Sequence, residues 1–191
     1  MKKQIRTAVK VFTAVLALTV AVCVTSCANG SGSAEETWTP VTSLTGLEGT
    51  WTGKISRSET VPATESPTGA AITYNVTAEM TIMYPVSAGS DSVKIIQKFD
   101  LTDMINKIAA VMKISASDAW SIFSSQPEAN TEYSQSSPYT MTMTVTQTKA
   151  ETEAEIANPA SGNTLSVNST KTKLKFSDTT DGNNQIILIK Q

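Results

Sequence analysis

The chain has 191 residues, of which 40% are hydrophobic and 17% charged, with 15 basic against 17 acidic side chains. Histidine is absent. That removes the commonest general base and the commonest metal ligand together, so composition argues against an enzyme and against a bound metal or cofactor.

Lys2, Lys3 and Arg6 form a basic start, and an apolar run follows from Val11 to Val24. The run is too short for a spanning helix and ends in small residues, which is the pattern of a secretory leader. Val24-Thr25-Ser26-Cys27 closes it and resembles the lipobox of bacterial lipoproteins. That resemblance implies cleavage of residues 1–26 and acylation of Cys27, with membrane lipid as the partner and the cell envelope as the location. Ala28, rather than Asp, follows the cysteine, which implies the outer membrane in a diderm source. Loss of Lys2, Lys3, Arg6 and Lys10 leaves 11 basic against 17 acidic residues, a net charge of about −6. An acidic surface is poorly suited to phosphate backbones, so nucleic acid is not an expected partner. Cys23 departs with the leader and Cys27 is consumed, which excludes a disulfide, a thiolate nucleophile and a Cys/His zinc site.

Residues 27–45 read as a lipid-anchored tether, Gly/Ser-rich over 28–34, with Trp38 expected to pack on the domain that follows. From residue 46 the chain reads as one β domain, 46–191. Trp51, Gly53 and Ile55 alternate with Thr52, Lys54 and Ser56, and a Pro-containing loop is expected over 58–69. Period two is sustained from Ile72 to Tyr84 and resumes over Val93, Ile95, Gln97 and Phe99. The period then changes. Asp103 is the expected cap of a helix through Met104, Ile105, Ile108, Val111 and Met112. Ser115 and Asp118 open a second helix, so helices are expected at about 103–125 between strands three and four. Their apolar stripe reads as a cover for the sheet, the other reading being a partner-binding lid. Strands are expected over Tyr139–Val145, Thr152–Ile156, Leu165–Val167, Thr172–Phe176 and Gln185–Lys190. The fold class is therefore all-β with a small helical insert, an eight-stranded antiparallel barrel or sandwich.

Gly49-Thr50-Trp51 at the head of the first long strand resembles the Gly-x-Trp signature of lipocalins and related small barrels. The resemblance implies an eight-stranded up-and-down barrel with Trp51 closing one end and a small apolar ligand in the cup. Lipocalins also stack an Arg from near the last strand on that Trp. Here the only arginine after the leader is Arg57, on or just after the first strand, leaving Lys173 or Lys175 as stand-ins.

On that reading the cup is lined by Tyr74, Val76, Met80, Ile82, Ile95, Gln97, Phe99, Met141, Met143 and Val145, with Ile72 on the same face. These side chains either hold a ligand or fill the barrel. Glu151, Glu153 and Glu155 would line the outer face of one strand, too far apart for a cation cage. Asp178, Asp181 and Asn183 read as a solvated turn. The expected protein is a non-enzymatic, membrane-anchored lipoprotein that binds a small hydrophobic molecule. The alternative is a surface or periplasmic interaction module, with the barrel as scaffold and the helical insert as contact site.

Overall fold

The computed structural model describes residues 36–191 apart from 65, 67–68, 86–89, 126–130, 135–136, 159–162 and 179–184. The leader, Cys27 and the tether up to residue 35 lie outside the described residues, as do Asp181 and Asn183. The elements are β1 (Trp38–Pro40), β2 (Gly49–Val61), β3 (Ile72–Tyr84), β4 (Ser92–Asp100), α1 (Thr102–Met112) and α2 (Ala116–Ser124). They continue with β5 (Thr131–Tyr133), β6 (Thr140–Thr148), α3 (Lys149–Ala157), β7 (Asn163–Asn168), β8 (Lys173–Asp178) and β9 (Gln185–Lys190). Among the described residues no helix is long and apolar enough to cross a membrane.

The strands form one open antiparallel sheet in the order β1-β7-β8-β9-β2-β3-β4-β6-β5. The long strands follow chain order with a single wrap, because the first of them, β2, pairs with the last, β9, at Trp51↔Lys190 and Thr52↔Ile189. Three-residue strands stand at both ends. Neither β1 nor β5 is long enough to show a period, so both are additions to the expected set. Within the stretch read as tether, β1 pairs with β7, and Val41 and Leu44 are buried.

One expected strand is a helix. The segment 149–157 is α3, opened by a capping box in which Thr148 accepts from the Glu151 N–H and Glu151 accepts from the Thr148 N–H. Helix-forming Ala and Glu dominate it, so propensity agrees with the cap. Alternation at Thr152, Ala154 and Ile156 is incidental, and only Thr152 is buried. The loop expected from residue 58 is also shorter, since β2 runs on to Val61.

The chain forms two compact units. The first comprises 56–78 and 98–143; the second comprises the described residues up to 55, with 79–97 and 144–191. In the first, α1 and α2 pack on the strands. Met104, Ile105, Ile108, Ala109, Ala119, Trp120 and Phe123 join Val61, Ile72, Tyr74, Val76, Phe99, Tyr139 and Met141 in one buried cluster. The apolar stripe of the insert is thus a core face. Asp103 is not the helix cap. Leu101 holds that position, and the Asp103 carboxylate accepts from the Asn75 N–H at 2.7 Å and pairs with Lys107 at 3.1 Å, tying α1 to β3. Ser115 does cap α2, accepting from the Asp118 N–H at 3.0 Å.

The second unit buries Leu44, Leu47, Trp51, Met80, Ile82, Tyr84, Val93, Leu174 and Leu188. Its α3 is moored by Glu153, which accepts from the Leu44 N–H and the Ser43 hydroxyl, each at 2.9 Å. Those bonds hold the Glu153 carboxyl below its ordinary pKa, the Leu44 N–H contributing most.

Candidate functional site

The Gly49-Thr50-Trp51 motif has a local physical account. Gly49 has φ +124°, a conformation that side-chain-bearing residues rarely adopt, and a Cβ there would lie 3.2 Å from Lys190 Cε. Trp51 is fully buried, and its indole N–H donates to the Leu47 carbonyl at 2.8 Å. The Lys190 ammonium sits 5.3 Å from the Trp51 ring centroid, a cation–π contact delivered by β9. The cation is therefore Lys190, whereas Lys173 and Lys175 stand elsewhere on the second unit. Two residues on, Gly53 is obligatory for a different reason. Any Cβ would meet the Ile187 carbonyl oxygen at 2.5 Å, so glycine permits the close approach of β2 and β9.

Of the residues expected to line the cup, Tyr74, Val76, Phe99 and Met141 are brought together in the first unit, with Met143 packed against them. Met80 and Ile82 are buried in the second unit, while Ile95 and Gln97 are half-buried there. Val145 corrects the inward reading, being 43% exposed. Among the described residues β5 pairs with Met141, Thr142 and Met143.

A pair of charges was not expected on this face. Contacts Lys54–Glu79, Ser56–Thr77 and Thr60–Thr73 mark the outer register of β2 against β3. Alternation then places Arg57 opposite Val76 and Glu59 opposite Tyr74, on the inward side. Arg57 Nε is 2.7 Å from Glu59 Oε1, and the two side chains are only 14% and 24% exposed. Burial pushes the Tyr74 hydroxyl up to about 12, with the Glu59 charge adding to the shift and Arg57 opposing it. The signal was present in the sequence: the alternation from Trp51 through Ile55, continued past Ser56, reaches Arg57, Glu59 and Val61.

The aromatic part of the cluster stacks around Trp120, with ring centroids of Tyr139 at 5.1 Å, Phe123 at 5.3 Å and Tyr133 at 5.9 Å. The Trp120 indole N–H is buried and finds no acceptor among the described residues, an uncommon state for a buried donor.

The three glutamates 151, 153 and 155 ride on α3, where Glu151 caps the helix, Glu153 moors it and Glu155 accepts from Gln147. No group of three acidic, cysteine or histidine side chains is assembled for a metal among the described residues. Compared with family models, with curated proteins and with solved structures, the chain matches none.

Proposed function

We propose that this protein is a cell-envelope lipoprotein, acylated at Cys27, whose lipocalin-like β domain binds a small, largely apolar molecule carrying a polar group. The observation that carries this reading is the inward Arg57–Glu59 pair beside Tyr74. Partly desolvating two charges has a cost that their attraction offsets at least in part, and apolar side chains would serve a purely structural core at least as well. Polar groups set into an apolar wall are how a binding site fixes the orientation of its ligand. The unsatisfied Trp120 N–H supplies a second directional contact in the same unit.

The lipocalin-like assignment is supported by the pairing of β2 with β9 and by Lys190 over Trp51. The lipoprotein assignment is supported by the leader and by Val24-Thr25-Ser26-Cys27. An interaction module built on the helical insert would lose its strongest contact residues, because Trp120 and Phe123 are 1% and 6% exposed.

Native mass spectrometry of the mature protein after exposure to a lipid extract of its own cells tests the binding. A discrete added mass is expected, lost in Arg57→Met and in Met143→Arg while both variants remain folded. Absence of any added mass from a folded wild type, or retention of it in Arg57→Met, would overturn the site.

A further inference from the structure

The outer sheet face of the second unit exposes Ile187 and Ile189, at 37% and 54%. Register identifies what surrounds them. Ile189 stands opposite Lys173 on one side and Thr52 on the other, and Ile187 stands opposite Lys175. Directly opposed residues of antiparallel strands share a face, so these lysines flank the isoleucines. Lys175 carries its ammonium 4.5 Å over the ring of Trp38, which brings the half-buried tryptophan of β1 onto the same surface. Lys54, two residues beyond Thr52, extends it. Two carboxylates attend the three lysines: Glu36 pairs with Lys173 at 3.2 Å, and Glu79 with Lys54 at 3.0 Å.

Single exposed apolar residues are ordinary. Two adjacent isoleucines ringed by lysines and edged by a tryptophan have the composition of a surface that rests at a lipid headgroup layer, with apolar tips inward and ammonium groups on phosphates. We infer that this face lies against the bilayer that holds the anchor. The inference rests on the acylation of Cys27 proposed above, and chain length favours that occupant. Only nine residues, 28–36, follow the acylated cysteine as far as Glu36, and even fully extended they span at most about 30 Å. Glu36 itself is paired with Lys173 on this face, so the tether delivers the edge of the patch to the membrane. The excess of acid over base elsewhere in the mature chain orients the remaining surface away from anionic lipid.

The test uses the full-length precursor carrying Ile189→Cys, processed in cells and reconstituted into vesicles of phosphatidylglycerol and phosphatidylcholine. Acylation consumes Cys27, so residue 189 is the single thiol for a polarity-sensitive fluorophore; Glu155→Cys on α3 is the control. Emission from position 189 should shift to the blue and resist quenching by iodide, while position 155 stays quenchable. Replacing Lys173 or Lys175 by Glu should lower the shielded fraction about fivefold per lysine. Equal quenching at both positions, with the protein still floating with the vesicles, would overturn the docked face and leave the anchor intact. Failure to float, together with labelling of Cys27, would sink the anchor and this inference with it. Shielding that persists in detergent with a doubled native mass would assign the face to a second copy of the chain instead.

Discussion

In the unit formed by 56–78 and 98–143, the apolar sheet face is covered by helices, and fifteen buried residues from strands and helices share one cluster around Trp120. In the other unit the strands lie close enough to one another that glycine is required at position 53, and Trp51 is enclosed with its N–H satisfied at 2.8 Å. The first contains a half-buried ion pair and an indole donor with no acceptor among the described residues; the fully buried Trp51 of the second has its partner. Both polar features belong to the unit in which a ligand is proposed. The binding proposed above falls to the unit in which these groups stand.

That contrast can be broken at its strongest point by Trp51→Ala, which should cost about 3–5 kcal/mol, the range for truncating a buried aromatic. Hydrogen exchange should accelerate in β8 and β9 more than in α1 and α2. A loss below about 1 kcal/mol in a denaturant melt would remove Trp51 from its place as the keystone of the second unit. Next in size comes Gly53→Ala. Its Cβ meets a backbone carbonyl that cannot rotate aside, and a cost of about 1–3 kcal/mol is expected from overpacking. A neutral result would mean that β2 and β9 are further apart than described.

Thr148→Ala removes a reciprocal cap from α3 and should cost about 1 kcal/mol, read as a shift in the urea midpoint at unchanged slope. The smallest effect concerns acid. Asp103 is held below its ordinary pKa, first by the Asn75 N–H and then by Lys107. Its contribution is therefore fully present above the unfolded value of about 3.9 and disappears as pH falls through the lower folded value. Asp103→Asn should abolish that part of the acid destabilisation, and a urea midpoint followed below about pH 4 would show it.

Much of the architecture was legible because the sheet has one wet face. From Ile72 to Tyr84 the burial alternates as the side chains do, and α1 and α2 follow from the change to three-and-four spacing. The segment after Thr148 misled because Thr152, Ala154 and Ile156 satisfy a period of two by accident, while Thr148 and Glu151 already spelled a capping box. Arg57 and Glu59 were hidden by the expectation that Pro62 ends regular structure from residue 58, although β2 reaches Val61. Two features were out of reach in principle. A three-residue strand has no period, so β1 and β5 depend on their partners β7 and β6. Lys190 meets Trp51 only through the pairing of distant strands, which local pattern does not encode.

The pairing of β2 with β9 also sets a clock. Residue 51 emerges well before its cross-strand partner, residue 190, so the central seam cannot close until residue 190 has been made. Contacts between such distant residues slow folding because the intervening chain must be ordered first. On the export proposed above this delay is useful, because it keeps the newly made chain threadable until it has crossed the membrane.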